Sequence, residues 1–337
     1  STAGLELVPR SGAASDVQPL APRVGTPNAE TELFFHQKKP RAFKNLGLSC
    51  WINAPLQAAF APSQFKKRLA RKCEWRADAL QDLREDTALR RNDLAQLPVR
   101  ATFRHEDRLA VAFQAAFQEP LTQPRVPYLF TDFFYDTSRP RQRDAAEFLM
   151  RVLDTAESPS LAPAIRGRME QTLHCRRADC FGVMPSEGED FTTLTLPLQL
   201  LDGSVCTDVQ SALDAYMPDE PAESAFRWTG PKCQATAPSP MKRQRPSSLP
   251  HVLLIQLNRW NSIGDVGALL HPVEANETIR FHADTYVLDS VVVHLGDNVN
   301  SGHYVAIARH GTNHGTWWLY DGARRVIATP DQISTTA

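Results

Sequence analysis

The stretch Asn45-Leu46-Gly47-Leu48-Ser49-Cys50-Trp51-Ile52-Asn53-Ala54-Pro55-Leu56-Gln57 places one cysteine between a glycine-containing turn and the start of a predicted helix. Pro55, which suits a first turn, and the apolar residues around it predict a helix that begins just after Cys50. A thiol at that position lies near the positive end of the helix dipole, which favours the nucleophilic thiolate. The stretch therefore predicts a reactive cysteine, and such a cysteine needs a base elsewhere in the chain.

The best candidate for the base is His303, which follows a glycine at the start of a predicted strand. An acceptor that orients the base is predicted at Asp321, 18 residues further on, at the end of the next predicted strand. That spacing suits a β-hairpin, which would set the two side chains beside each other. Asn45 could join the Cys50 backbone N–H in stabilising an oxyanion. Taken singly, each residue is more often part of a core, a turn or the surface than of a catalytic site, and only their joint occurrence indicates a site.

The composition excludes several classes of protein. The chain has 337 residues, of which 42% are apolar and 22% charged, with a net charge of −1 from 37 basic and 38 acidic residues. These values are ordinary for a soluble globular protein and give no bulk charge that indicates a nucleic-acid or membrane partner. No apolar run reaches the ~18 residues of a membrane span, and no secretory signal is visible. Six cysteines in a chain of this length do not indicate a disulfide framework, so we expect a reducing compartment.

The chain divides into two parts by its patterning. Residues 1–40 carry prolines and glycines without a sustained period and predict a disordered leader or linker. Residues 41–331 predict one α+β domain, with helices first and strands later. Within this domain, the many prolines of residues 217–250 predict an exposed excursion.

Periodicity predicts the individual elements. Helical spacing of apolar residues predicts helices over 105–117 and 144–154, and residues 64–96 have the composition of a solvent-facing helix. Alternating or β-rich segments predict strands at 194–200, 251–257, 287–295, 304–309 and 316–320. Pro197 places the first of these strands near a sheet edge.

The segment around Cys50 resembles the cysteine box of the ubiquitin-specific proteases, which are papain-like deubiquitinating enzymes. The residues at matching offsets are Asn45, Gly47, Cys50, Asn53, Leu56 and Gln57. Four further segments resemble the family's second motif, its central strand, its histidine box and its third-residue motif, namely 142–149, 250–260, 294–304 and 317–321. The five motifs occur in family order and span roughly residues 41–327.

The resemblance implies a papain-like fold with a helical thumb at about 41–160, and an antiparallel palm sheet and reduced fingers at about 161–331. It implies hydrolysis of the isopeptide, ester or peptide bond after the C-terminal Gly-Gly of ubiquitin, through a thioester and without a cofactor. In that reaction Cys50 is the nucleophile, His303 the base, Asp321 its orienter and Asn45 an oxyanion donor. The implied partners are ubiquitin and ubiquitinated proteins. We expect a monomer in the cytoplasm, either of the source cell or of a host cell that receives the protein.

The resemblance also implies a channel for the ubiquitin tail Leu-Arg-Leu-Arg-Gly-Gly between thumb and palm. Asp144 and Glu147 lie one helical turn apart, so both could meet the arginines of the tail, although the alternative of a solvated helix face stays open. Gly302, whose small size leaves room for the tail, Tyr304 and Gln57 are the other expected substrate-binding residues.

Two departures from the family pattern affect the expectations. The fingers of the family often bind zinc through two Cys-x-x-Cys pairs, whereas this chain offers only Cys175, Cys180 and Cys233. His174 or Cys206 could complete a set of four ligands, but a zinc-free fingers region is the favoured prediction. The second acidic residue that commonly follows the third catalytic position is Gly322 here.

Three other functions remain open at this stage. The same chemistry could act on SUMO or another ubiquitin-like modifier. The fold could also bind ubiquitin without hydrolysing it, although the complete set of Cys50, His303 and Asp321 argues against this. A papain-like peptidase unrelated to ubiquitin would leave the second motif unexplained.

Overall fold

The structure is a computed structural model, and it describes only part of the chain. The described residues are 4–9, 42–62, 65, 116, 130, 141–155, 162–176, 182–185, 188–200, 202–217, 220–221, 240–259, 269–298, 301–310, 315–329 and 332–333. The helices predicted over 64–96 and 105–117 lie outside these ranges, except for Phe65 and Ala116, which are both helical and buried.

Four helices have both ends within the described residues. They are α1 (Cys50–Ala59), α2 (Ala145–Thr155), α3 (Ala162–Ile165) and α4 (Val209–Asp214). Helix α2 confirms the helix predicted over 144–154, and α1 confirms the helix at the cysteine. None of the described helices has the length and apolar character of a membrane span.

Helix α1 is enclosed on all sides, since each of its ten residues is buried. Pro55 is its sixth residue and so lies in the second turn, not in the first turn that the sequence predicts. A proline there has no N–H to donate to the carbonyl of Trp51, four residues earlier. Packing compensates for this loss, and Ser290 Oγ donates to the carbonyl of Ala58 at 3.1 Å, which ties the end of α1 to the sheet.

Thirteen strands occur in the described residues. In chain order they are β1 (Gly4–Pro9), β2 (Gly167–His174), β3 (Val183–Pro185), β4 (Glu189–Phe191), β5 (Thr193–Pro197), β6 (Glu220–Pro221), β7 (Met241–Ser248), β8 (Leu253–Asn258), β9 (Thr278–Phe281), β10 (Asp284–Asn298), β11 (Ser301–His310), β12 (Thr316–Asp321) and β13 (Arg324–Ile327). Each of the five predicted strands corresponds to one of them, namely β5, β8, β10, β11 and β12.

Eight of these strands form the palm sheet, in the order β13-β12-β11-β10-β1-β8-β5 with β9 also paired to β10. Every neighbouring pair is antiparallel except β5 and β8, which run parallel. The predicted antiparallel palm is therefore correct apart from this one edge pair. Strand β5 ends the sheet, as the proline within it predicts.

The predicted disorder of residues 1–40 is wrong for residues 4–9. These residues form β1, which pairs antiparallel with β10 on one side and with β8 on the other. The sequence Gly-Leu-Glu-Leu-Val-Pro alternates apolar and polar residues over a short span, a strand pattern that the surrounding prolines and glycines obscure. The N-terminal segment thus contributes a central strand of the palm.

A smaller sheet of five strands contains β3, β2, β7 and β6 in that order, with β4 paired to β2. Residues 241–248 form its strand β7, so the predicted excursion over 217–250 is wrong for this part. The segment is nevertheless largely solvent-accessible, because only Pro246 within β7 is buried. Seven residue pairs with β2 explain how so polar a segment becomes ordered.

The palm sheet has two apolar faces, and alternate residues of its strands supply them. The thumb face, which packs against α1 and α2, includes Val292, Tyr304 and Ala306. The far face, which packs against α4, includes Val291, Val293 and Val305. Adjacent residues of β10 and β11 therefore belong to different cores.

Candidate active site

The loop before α1 is held by hydrogen bonds of Ser49. The backbone N–H and the hydroxyl of Ser49 donate to Asn45 Oδ1, at 3.0 and 3.1 Å. Ser49 Oγ in turn accepts the backbone N–H of Leu46 at 2.9 Å. Gly47 has a φ of 111°, a conformation that favours glycine and lets the chain turn. Because Oδ1 of Asn45 accepts from Ser49, the amide is fixed with Nδ2 on the side away from Ser49.

Cys50 is the first residue of α1, and its side chain is only 2% exposed. The first hydrogen bonds of the helix are donated by Ile52 and Asn53 to the carbonyl of Ser49, at 3.0 and 3.1 Å. The backbone N–H groups at the very start of a helix have no acceptor within it. The thiol and the Cys50 N–H therefore occupy the electropositive end of α1.

His303 and Asp321 come together through the hairpin of β11 and β12. Ala306 pairs with Tyr320 in this hairpin, which brings the start of β11 beside the end of β12. His303 Nε2 lies 2.6 Å from Asp321 Oδ1. The side chain of His303 is 34% exposed and that of Asp321 is 47% exposed, so the pair lies in an open cleft. The predicted proximity of the two residues is thus observed.

The imidazole of His303 also makes a side-chain hydrogen bond with Cys50, which joins sulfur, imidazole and carboxylate in one line. This hydrogen bond is the main cause that raises the pKa of His303 from its ordinary value of 6.5 to about 9. Burial opposes the increase in pKa, and the hydrogen bond to Asp321 adds to it. The imidazolium form of His303 is therefore favoured at neutral pH.

Gly302 packs closely against His294 beside this line. Gly302 has a φ of 146°, and a Cβ added there would lie 2.5 Å from His294 Nε2 and 2.6 Å from the carbonyl oxygen of Leu295. The amide of Gln142 meets His294 Nε2 at 3.3 Å, while the His294 ring packs on Tyr304 with centroids 4.6 Å apart. Burial lowers the pKa of His294, so its ring is neutral. Glycine is required at position 302 by both conformation and space.

The turn after β12 brings Gly322 close to the oxyanion candidate. A Cβ added at Gly322 would lie 3.6 Å from the Cβ of Asn45, which is ordinary van der Waals contact. Asn45, Cys50, His303 and Asp321 therefore surround one cleft between α1 and the end of the β11–β12 hairpin.

The sequence matches the family described as ubiquitin carboxyl-terminal hydrolase over residues 41–336. The chain belongs to the ubiquitin carboxyl-terminal hydrolase family. This family includes the ubiquitin-specific proteases that the five motifs resemble, and the papain-like α+β fold predicted from them is confirmed.

Similar proteins come from plants and other eukaryotes. Ubiquitin carboxyl-terminal hydrolase 26 of Oryza sativa subsp. japonica is 24% identical over 317 residues, a match that covers 88% of this chain and 26% of the rice protein. Ubiquitin carboxyl-terminal hydrolase 4 of Arabidopsis thaliana is 23% identical over 338 residues. This match covers 87% of this chain and 86% of the Arabidopsis protein. The chain thus spans about a quarter of the rice relative and most of the Arabidopsis one.

Solved structures share the fold. The SAGA DUB module of Ubp8, Sgf11, Sus1 and Sgf73 bound to monoubiquitin matches with a TM-score of 0.62 and 16% identity, over 93% of this chain and 70% of that one. The same module bound to ubiquitin aldehyde matches with a TM-score of 0.64 and 16% identity, over 90% and 69% of the two chains. Both similarities concern the fold alone.

The acidic pair on α2 has structural partners. Asp144 precedes α2 and accepts the backbone N–H of Glu147 at 2.9 Å, as an N-cap residue does. Glu147 forms an ion pair with Arg151, one turn further on, and both of these side chains are 55% exposed. To contact an arginine of the tail, Glu147 would have to leave its ion pair with Arg151. Exposed ion pairs of this kind contribute only ~0.5 kcal/mol to stability, so the exchange costs little.

Two expected substrate-binding residues are buried. Gln57 is 1% exposed on α1 and lies among the thumb residues. Tyr304 is 3% exposed and packs against His294 on the thumb face of the palm. The substrate contacts of both residues stay predictions. Gly302, in contrast, lies at an exposed position beside the catalytic candidates.

The possible zinc ligands are only partly described. Cys180 and Cys233 lie outside the described residues, and Cys175 is partly exposed. Cys206 is 4% exposed and belongs to the core on the far face of the palm, where burial raises the pKa of its thiol. Within the described ranges, no three His, Cys, Asp or Glu side chains are grouped closely enough to hold a metal ion. Because Cys180 and Cys233 lie outside these ranges, the zinc set that Cys206 or His174 could complete stays an untested alternative.

Sequence reasoning missed two residues that shape the site. Gln142 contacts His294, which is 152 residues further along the chain, and Ser49 fixes the amide of Asn45. The position of Gln142 at the start of the second motif and that of Ser49 beside the nucleophile are the signals that could have indicated them. Neither residue type is diagnostic on its own.

Proposed function

We propose that the protein is a thiol-dependent deubiquitinase, which hydrolyses the bond after the C-terminal Gly-Gly of ubiquitin through a thioester on Cys50. One observation carries the proposal, namely the hydrogen-bonded line of Cys50, His303 and Asp321 in a member of the ubiquitin carboxyl-terminal hydrolase family. Within this line, the imidazole of His303 is a proton acceptor for the thiol of Cys50.

In the acylation step, the Cys50 thiolate attacks the carbonyl carbon of the C-terminal glycine of ubiquitin, and an S–C bond forms. His303 holds the proton that came from the thiol. Because Asp321 occupies Nε2, the other ring nitrogen, Nδ1, is left to serve the sulfur and the leaving group. His303 passes its proton to the leaving amine as the C–N bond breaks, and the amine departs neutral.

In the deacylation step, the now neutral imidazole takes a proton from a water molecule, whose oxygen attacks the thioester carbon. The C–O bond forms, the S–C bond breaks, and ubiquitin leaves with a free carboxylic acid, which loses its proton to the solvent. The thiolate and the imidazolium are restored together. Asp321 stabilises the imidazolium, as the carboxylate of a catalytic triad does.

Each tetrahedral intermediate carries an oxyanion that needs donors. The Cys50 N–H at the start of α1 is one donor, and Nδ2 of Asn45 is the other. The hydrogen bonds from Ser49 support this role of Asn45, because they use up its Oδ1 and orient Nδ2 in advance. A preorganised donor of this kind contributes ~3 kcal/mol to the transition state.

The tail of ubiquitin enters along the thumb face of the palm, past Gly302 and His294. The close packing at Gly302 supports this path, since position 302 carries no side chain next to the catalytic histidine. Asp144 and Glu147 lie at the entrance and offer carboxylates to the arginines of the tail. The neighbouring structures hold monoubiquitin or ubiquitin aldehyde, which is consistent with the same ligand here.

The physiological setting follows from the chemistry. Ubiquitinated proteins are the partners, and a reducing compartment such as a cytoplasm keeps Cys50 a thiol. We infer that the protein acts as a monomer without a nucleic-acid partner, since the site is complete within one chain and the net charge is −1.

A ubiquitin probe with a C-terminal electrophile tests the proposal. The wild type should form a covalent adduct that raises its mass by one probe, and Cys50→Ala should form none while still binding ubiquitin. Cys175→Ala is the matched control, because Cys175 is another cysteine of the chain and is partly exposed. This control should react like the wild type.

The proposal fails if the wild type forms no adduct or if Cys50→Ala still forms one. A SUMO probe of the same chemistry, run in parallel, shows whether ubiquitin is the preferred modifier. Faster labelling by SUMO would overturn the ubiquitin assignment but keep the catalytic one.

A further inference from the structure

Leu295 is an exposed apolar residue directly beside the catalytic histidine. Its relative exposure is 49%, and it pairs with His303 in the ladder of β10 and β11. Side chains of directly paired residues project on the same side of a sheet and lie next to each other. A leucine in that place exposes apolar surface to water next to a charged pair, which is unfavourable unless a ligand covers it.

His294 and Leu295 are neighbours on β10 with different surroundings. His294 packs on Tyr304, which belongs to the thumb face, and a Cβ at Gly302 would point at the His294 ring. Leu295 is exposed and is paired with His303, whose imidazole meets Cys50 at the start of α1. A group that departs beside this imidazole therefore lies close to Leu295.

The chemistry requires the same arrangement. His303 must face the leaving amine in order to protonate it. Asp321, on β12, approaches His303 from one neighbouring strand, and Leu295, on β10, flanks it from the other. The group that departs next to the imidazole consequently meets the Leu295 side chain.

We infer that Leu295 is a specificity-determining residue that contacts the four-methylene stem of a lysine leaving group. The inference rests on the proposed function and deepens it. A lysine joined through its side chain presents an apolar stem next to the scissile nitrogen, whereas an α-amine presents a polar backbone there. Covering both the stem and Leu295 removes apolar surface from water, so the enzyme prefers isopeptide bonds to peptide bonds.

Two substrates with the same ubiquitin part test the inference. In one, ubiquitin is joined to the side-chain amine of a lysine in a short peptide, and in the other to the α-amine of the same peptide. Leu295→Ala should lower kcat/KM for the isopeptide about fivefold to tenfold, as the loss of one or two methylene contacts implies, and change it less than twofold for the peptide bond. Leu295→Met, which keeps the apolar contact, should retain the preference.

Ile327→Ala is the matched control, because Ile327 is also an exposed apolar residue of the palm sheet, at 64% exposure, but lies on β13 away from His303. It should leave both rates unchanged. An equal decrease on both substrates, or no decrease on the isopeptide, overturns the role of Leu295 while the proposed function stands. If the wild type cleaves neither substrate and forms no adduct with the probe, the proposed function itself fails, and the role of Leu295 fails with it.

Discussion

His303 Nε2 and Asp321 Oδ1 lie 2.6 Å apart because β11 and β12 are the two arms of one hairpin, while Cys50 reaches the same imidazole from a helix more than 250 residues earlier in the chain. The carboxylate and the sulfur act on the imidazole in the same direction. Asp321 and Cys50 both stabilise the protonated ring, so the imidazolium of His303 lies between two hydrogen-bond acceptors.

This arrangement sets the alkaline limit of activity. His303 must carry a proton to give to the leaving amine, and its pKa is raised to about 9 by the hydrogen bonds with Cys50 and Asp321. We expect kcat/KM for an isopeptide substrate to fall as the pH rises through about 9. The stability that this charge pair contributes to the folded state should be fully present below 6.5, the ordinary pKa of histidine, and lost through the same range near 9.

The comparison with Asp321→Asn makes this pH prediction specific. An amide still accepts a hydrogen bond but carries no charge, so the pKa of His303 should decrease and the alkaline limb should move to lower pH. The maximal rate should also decrease, because the imidazolium is less stable. A full pH–rate profile of both proteins checks this, and an alkaline limb at the same pH in both would contradict it.

Asn45→Ala should slow turnover strongly without weakening ubiquitin binding. The variant loses the Nδ2 donor, and removal of one oxyanion donor costs ~3 kcal/mol, or about two orders of magnitude in kcat. The measurements are kcat on an isopeptide substrate and the Kd of ubiquitin for the same variant in a Cys50→Ala background. Full activity of Asn45→Ala would remove Asn45 from the mechanism.

Ser49→Ala controls for the loop that Asn45 also holds. It removes the hydroxyl that donates to Asn45 Oδ1 and accepts from Leu46, yet keeps the Ser49 backbone N–H bond at 3.0 Å. We expect a decrease in kcat of less than about tenfold, because a neutral hydrogen bond contributes ~1 kcal/mol. A loss as large as that of Asn45→Ala would mean that loop order, not the amide donor, sets the rate.

Gly302→Ala should abolish most of the activity. The added Cβ would lie 2.5 Å from His294 Nε2 and 2.6 Å from the Leu295 carbonyl oxygen, so the strand or the ring must shift next to the catalytic histidine. A displacement of about 1 Å at a catalytic group can cost ~100-fold in rate. The measurement is kcat/KM together with the thermal unfolding midpoint.

Gly322→Ala is the control for Gly302→Ala, because residue 322 also has a positive φ but has room for a Cβ. Its φ is also in the left-handed region, at 55°, but the nearest atom to an added Cβ is 3.6 Å away. It should lose ~1–2 kcal/mol of stability from backbone strain and keep the active-site geometry. If the two alanine variants lose activity to the same extent, steric pressure on His294 is not the cause.

The local features of the site could be predicted from sequence. The helix at Cys50, the helix α2 and the hairpin that carries His303 and Asp321 each follow from a periodic pattern within about twenty residues. The far contact between Gln142 and His294 does not, because no local pattern specifies which side chains meet across the thumb and palm. That the thumb packs against the palm could be predicted only because the five motifs resemble those of a known family.

Burial is the property that sequence predicts least well. Gln57 and Tyr304 occupy positions of family motifs, and a motif position alone does not show that both residues are buried. Pro55 suits a first turn by its sequence, whereas tertiary packing allows it in the second. In each case the deciding contacts come from residues distant in sequence.

Strand β1 gives the last prediction. Residues 4–9 precede the matched family region 41–336, yet they fill the sheet between β8 and β10 through backbone pairing on both sides. Removal of residues 1–9 should lower the free energy of unfolding by several kcal/mol, at ~1 kcal/mol for each backbone hydrogen bond lost. Activity should fall as well, because β10 carries His294 and Leu295. Denaturant unfolding of this truncation is compared with that of a protein lacking residues 1–3 only, which keeps the strand and should match the full chain. Equal stability of the two truncations would show that β1 is dispensable to the palm.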